Sequence, residues 1–175
     1  AKLDDPPKIQ IFASDIDEQA IVKAREGFYT LNDAADVAPE RLRRFFTKEN
    51  EGYRVRRDLR EMVLFANHNI LKDPAFSHLD AVTCRNMLIY LNPTAQERVM
   101  ETFHFALEPG GFLLLGNSET VDGAGDLYAT VSKEHHIFQS RHVSTRITYP
   151  IADSSSRAFR FDKMNYALSP APPPE

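Results

Sequence analysis

Arg85 and Asn86 stand at the carboxyl end of an apolar, β-prone run, Leu79 to Cys84, and a second apolar run, Met87-Leu-Ile-Tyr-Leu91, follows at once. In an open α/β sheet, ligands bind in the crevice outside the strand carboxyl ends. A guanidinium there can orient a carboxylate through charge-assisted hydrogen bonds. An arginine between two apolar runs is also expensive unless it is used. The competing reading is a structural ion pair with Asp80 or Glu119. Three other apolar runs end in polar residues: Asp15 and Asp17 after Ile9 to Ala13, Asn67 and Asn69 after Met62 to Ala66, and Asn117, Ser118 and Glu119 after Phe112 to Leu115. A parallel sheet would bring all four ends to one edge, and together they favour a nucleotide-sized site.

The elements that must position these residues are legible from local signals. Asp17 can cap a helix over residues 18–26, with Ile21, Val22 and Ala24 apolar and Gly27 as its stop. Residues 28–61 break the α/β rhythm: a short Pro39-led helix carries Leu42, Phe45 and Phe46, a turn falls at Gly52, and Tyr53-Arg-Val55 alternates. This is the pattern of a small insertion with its own strands. Thr94-Ala-Gln-Glu97 forms a capping box opening a helix with Val99, Met100, Phe103 and Leu107 on its apolar face, and Phe103, Phe105 and Leu107 read as helix packing. Gly110-Gly111 closes that helix, and residues 136–140 supply an edge strand. Past residue 140 the pattern fades into Ser154-Ser-Ser156 and Ser169-Pro-Ala-Pro-Pro-Pro174, which read as a linker or tail.

Composition narrows the class. A chain of 175 residues with one cysteine, Cys84, suits a cytoplasmic α/β protein without a disulfide framework. No run approaches the roughly 20 apolar residues of a membrane span. The net charge of −4 argues against general nucleic-acid binding. Residues 41–60 nevertheless hold eight Arg/Lys against three acids, either a solvated face or a patch for an acidic partner. The histidines show no metal-ligand spacing, so no metal is assigned.

The ordered pieces Phe12-Ala-Ser-Asp-Ile-Asp17, Ala24-Arg-Glu-Gly27 with Tyr29, Arg41-Leu-Arg-Arg-Phe-Phe46, Phe65-Ala-Asn-His-Asn-Ile-Leu71, Asp80 through Tyr90, and Pro109 through Gly116-Asn-Ser-Glu119 resemble CheR-type chemoreceptor methyltransferases. The resemblance runs from about Ile9 to Ser140. It implies a Rossmann-like class I methyltransferase sheet with a small inserted β-subdomain over about 28–61, S-adenosylmethionine as cofactor with S-adenosylhomocysteine as product, and methylation of receptor glutamates. By the same resemblance Asp15 binds the cofactor ribose, Asn69 and Ile70 flank the adenine, Arg85 and Asn86 lie near the methionine portion and the incoming glutamate, and Tyr90 lies close to the transferred methyl. Its partners would be the cytoplasmic domains of methyl-accepting receptors, approached through 41–60. The short turn Lys48 to Gly52 argues against tethering to a receptor's terminal pentapeptide.

Two features depart from the family. Its glycine-containing loop and first, central strand should precede Ile9, so a partial domain with two unpaired strand edges is expected, inactive alone. Bland readings stand beside the sharp ones: Asp15 as a turn residue, Asn69 satisfying strand-end backbone groups, Tyr90 as core packing, and Cys84 as a small buried hydrophobe. The competing function is a non-enzymatic interaction module in a hybrid signalling protein. A dehydrogenase would need a G-x-G-x-x-G fingerprint, and a nucleic-acid methyltransferase a proline-aromatic motif where Arg85-Asn86-Met87 stands.

Overall fold

The computed structural model describes residues 7–143, so the Ser- and Pro-rich tail beyond 143 lies outside the described residues. The chain forms two compact units, one running through Ala75 and including Asn92–Thr102, the other comprising Phe76–Leu91 and the residues from Phe103 on.

In the first unit β1 (Ile11–Asp15) pairs in parallel with β5 (Val63–Asn67), in a register that sets Asp15 beside Asn67. The strands lie two residues and one residue later than the sequence pattern places them, so the polar ends belong to the strands themselves. Between them, α1 (Glu18–Glu26) starts where Asp17 Oδ1 accepts the Gln19 and Ala20 N–H groups at 2.8 and 3.2 Å. It ends at Gly27, whose φ of 61° is the left-handed stop that glycine reaches without a Cβ penalty. Arg25 Nη2 donates to Phe65 O at 2.9 Å and ties this helix to β5.

The insertion forms as expected. It comprises β2 (Phe28–Thr30), α2 (Leu31–Ala34), α3 (Pro39–Phe45), β3 (Phe46–Glu49), β4 (Gly52–Val55) and α4 (Arg57–Arg60). The strands make an antiparallel sheet in the order β2-β4-β3. The turn is Asn50-Glu51, not Gly52, which pairs with Glu49 on one side and Thr30 on the other. Arg54 is the hub of this sheet. Its guanidinium grips Glu49 at 2.6 and 3.0 Å, donates to Glu26 O at 2.8 Å and lies over the Phe28 ring. The grip holds the Glu49 carboxyl below the ordinary carboxylate range and raises Arg54.

The basic run is therefore largely spent on local structure. Arg56 donates to Phe46 O and Arg43 O, Arg57 pairs with Glu61, Arg60 donates to Arg25 O, and Arg44 lies over Phe45. Arg41, Arg43 and Lys48 remain exposed.

In the second unit four strands run β6-β7-β9-β8: β6 (Leu79–Cys84), β7 (Leu107–Leu115), β8 (Tyr128–Ser132) and β9 (Ile137–Ser140). β6 and β7 are parallel, while β9 and β8 add antiparallel, so this sheet is mixed. β8 was not expected. Leu113 and Leu115 are fully buried whereas Phe112 and Leu114 are exposed, so the apolar run does not bury both its faces. Among the described residues β1 pairs only with β5, and β6 only with β7.

Helix α5 (Pro93–Ala106) also differs from its expected ends. Pro93 opens it, and Asn92 Oδ1 accepts Ala95 N–H at 2.9 Å, so Asn92 and not Thr94 supplies the capping oxygen. Val99, Met100, Phe103 and Ala106 are buried at helical spacing, while Phe105 is exposed and Leu107 already belongs to β7. Gly110-Gly111 therefore does not stop the helix. It lies in an irregularity of β7 between the Leu79–Leu107 and Ala81–Phe112 pairs, where Gly110 takes φ 83°.

Candidate active site

The parallel register of β1 and β5 sets two polar ends together. Asp15 Oδ1 accepts the Asp17 N–H at 2.9 Å, and its second oxygen has no hydrogen-bond partner among the described residues. Asn67 Nδ2 donates to Ile16 O at 2.9 Å and binds the two strand ends. His68 N–H donates to Asp15 O at 2.9 Å. Asn69 begins a tight turn: its Oδ1 accepts Leu71 N–H at 3.0 Å and its own N–H donates to Asp73 at 2.7 Å. That is the bland role weighed for Asn69. Its Nδ2 has no partner among the described residues, and Asn69 and Ile70 are both half-buried. This unit thus carries Asp15, Asn69 and Ile70, with a carboxylate oxygen and an amide N–H₂ to spare. A ribose diol needs an acceptor and a base edge needs a polar partner, so the residues fit the nucleoside half of an S-adenosyl group.

The second unit carries Arg85, Asn86 and Tyr90. The chain leaves the sheet at Cys84, and Asn86 takes φ 60°, a left-handed conformation that asparagine tolerates better than most residues. Arg85 and Asn86 are consequently exposed. This corrects the premise that Arg85 is held between two buried runs, and desolvation cost no longer argues for its use. The alternative ion pair is also absent: among the described residues Arg85 pairs with neither Asp80 nor Glu119. Tyr90 ends a single 3-10 turn, Leu88–Tyr90, and is 81 % exposed, so it is not core packing.

Sequence reasoning named Glu119 as a polar strand end and a possible partner of Arg85, and missed that it shapes this turn. Glu119 is only 3 % exposed. Its Oε1 accepts the N–H groups of Met87 and Leu88 at 2.9 and 2.8 Å, and its Oε2 those of Asn86 and Gly116 at 3.1 and 2.7 Å. Four strand-end amides thus converge on one carboxylate. A glutamate shortly after a Gly-Asn-Ser turn was the available signal, though nothing local names its partners.

Cys84 is a buried small hydrophobe, as expected. Burial, with the Glu119 charge adding to it, pushes its thiol from 9.0 up to about 12. A thiol whose native pKa exceeds its unfolded pKa contributes stability that is intact below pH 9 and is lost as pH climbs toward 12, because only the unfolded chain releases the proton. The stability difference between wild type and Cys84→Ala in urea should therefore shift against wild type across that window, by no more than about 1.4 kcal/mol per pH unit. Native Cys84 should also resist iodoacetamide at pH 8. A flat difference curve with rapid labelling would show an open thiol.

Among the described residues no cluster of three His, Cys, Asp or Glu side chains is placed to hold a metal, and no helix is long and apolar enough to cross a membrane.

The family model "CheR methyltransferase, SAM binding domain" matches residues 2–137. An uncharacterised 104.1 kDa protein of Rhodobacter capsulatus is 42 % identical over 134 residues, which cover 77 % of this chain and 14 % of that protein. A chemotaxis protein methyltransferase of Salmonella typhimurium is 38 % identical over 120 residues, 65 % of this chain and 42 % of that one. Among solved structures, the N-methyltransferase NodS of Bradyrhizobium japonicum aligns with a TM-score of 0.41 and 14 % identity over 76 % of this chain and 74 % of that chain. The chain spans less than half the length of both curated relatives.

Proposed function

Because the chain belongs to the CheR methyltransferase family, whose S-adenosylmethionine-binding domain matches most of its length, we propose that it is part of a protein-glutamate O-methyltransferase acting on chemoreceptors. The observation that carries this reading is the Arg85-Asn86 turn, exposed at the carboxyl end of a parallel strand and bound to no acid of its own among the described residues.

S-adenosylmethionine, the cofactor of this family's domain, supplies a methyl group on a positively charged sulfur. A glutamate carboxylate is already a nucleophile at neutral pH, so no side chain has to remove a proton. The protein's work is alignment and exclusion of water. Arg85 orients the incoming carboxylate through charge-assisted bonds, and Asn86 lies beside it. A tight clamp would stabilise the ground state and slow transfer, so orientation suits Arg85 better than capture. Tyr90, exposed on the same turn, is assigned to the neighbourhood of the methyl. Asp15 receives the ribose hydroxyls, and Asn69 and Ile70 take the edge and face of the adenine.

The remaining parts of the reading concern what this chain meets. A glycine loop and a further strand, the parts that the family resemblance adds, would complete the cofactor site. Exposed Arg41, Arg43 and Lys48 would dock acidic receptor helices, while the two-residue Asn50-Glu51 turn argues against pentapeptide tethering.

Calorimetric titration of S-adenosylhomocysteine tests the reading, using this chain beside a form extended upstream. The extended form should bind, and Asp15→Ala should weaken it by roughly 10- to 100-fold, the worth of a charged hydrogen-bond acceptor. A well-folded extended form that does not bind would leave the non-enzymatic interaction module as the better account.

A further inference from the structure

We propose that Glu119 is a positioning residue for methyl transfer, locking the turn that presents Arg85 and Asn86. This rests on the reading of Arg85 as the group that orients the substrate glutamate. The carboxylate offers about four lone-pair sites, and four N–H groups occupy them, two on each oxygen. Three belong to the turn after β6 and one to the turn after β7, so Glu119 joins the two strand ends across 31–33 residues of sequence.

The surroundings are fitted to this arrangement. Glu119 N–H donates back to Gly116 O at 3.0 Å, and His136 Nδ1 lies 3.0 Å from Glu119 O, so the backbone on which the carboxylate stands is held as well. Gly116 supplies the room. A Cβ there would sit 2.6 Å from Glu119 Oε2 and 3.2 Å from both Asn86 N and Asn86 Oδ1.

The electrostatic consequence is specific. Glu119 and Arg85 have opposite charges and are fastened to the same turn, yet they do not pair. The anion's hydrogen-bonding capacity is satisfied by backbone dipoles, which leaves the guanidinium of Arg85 for an external carboxylate. Glu119 thus fixes where Arg85 stands without competing for it.

The test is a double-mutant cycle in the natural full-length protein, scoring methyl transfer to receptor glutamates. Glu119→Gln keeps the shape but turns one acceptor pair into a donor facing N–H groups. It should lower kcat on the order of 10²-fold through misplacement, with KM for S-adenosylmethionine little changed. It should also deprotect the Asn86, Met87, Leu88 and Gly116 amides in hydrogen exchange. If Glu119 acts through Arg85, the E119Q/R85A double variant is no slower than R85A alone. Should E119Q fail to fold, Gly116→Ala displaces the carboxylate without removing it and should reproduce the kcat loss. Wild-type kcat in E119Q, or full additivity in the cycle, overturns the positioning role while leaving Arg85 in place. Wild-type kcat in R85A overturns the underlying reading instead, and the role of Glu119 with it.

Discussion

Alanine at position 52 is expected to dismantle the inserted β-sheet. Gly52 sits in the central strand, paired with Thr30 and Glu49, and a Cβ there would lie 2.1 Å from Tyr29 O and 2.8 Å from Phe28 Cζ. The nearer atom is backbone and cannot swing aside as a side chain does. Tyr29 would have to move away, and the β2–β4 pairing with it. The glycine is needed for room, whereas Gly27 is needed for its φ of 61°. Overpacking usually costs about 1–3 kcal/mol, and a backbone obstacle belongs at or beyond the top of that range. Urea unfolding should show the loss, and hydrogen exchange should place it in Phe28–Thr30 and Gly52–Val55. An unchanged midpoint would mean that β2 can withdraw without loss of pairing.

Arg85→Ala is expected to lower kcat for receptor methylation by ~10²-fold or more while stability stays within about 0.5 kcal/mol, as is usual for an exposed side chain away from special features. If Arg85 orients the carboxylate in the transition state, kcat and kcat/KM fall together. If it only captures the substrate, KM rises and kcat holds. Arg85→Lys separates charge from geometry, since an ammonium keeps the positive charge but not the planar fork. Partial recovery by lysine assigns the remainder to the fork. Steady-state methylation with separate kcat and KM decides, and an unaltered kcat in the alanine variant removes Arg85 from the reaction.

What the sequence disclosed was local. Asp17 and Gly27 bound α1 as their types require, and apolar runs ending in polar residues marked β5 to within one residue, β6, and the last four residues of β7. The family resemblance supplied the inserted sheet's place. Arguments from burial fared worse. Arg85 follows a buried cysteine, yet Asn86 turns the chain out of the sheet, so apolar neighbours in sequence are not neighbours in space. Core packing was the rival reading for Tyr90 because Met87-Leu-Ile-Tyr-Leu91 reads as one apolar run, while the 3-10 turn buries Leu88 and exposes Ile89 and Tyr90. Glycines also misled: Gly52 and Gly110-Gly111 look like punctuation but lie within strands, where tertiary crowding or register demands them. Glu119 was visible as a polar residue at a strand end, but its partners were not, since they are backbone amides that any sequence would provide.

The four amides held by Glu119 also bear on the timing of events at Arg85. Fixing a residue's backbone costs about 1–2 kcal/mol of conformational entropy. For the turn from Asn86 to Leu88 that loss falls at folding, once in the life of the molecule, rather than at each encounter. If Arg85 receives the substrate carboxylate as proposed, its arrival freezes only side-chain rotamers. The rate of engagement should follow diffusion and charge instead of waiting for a loop to close.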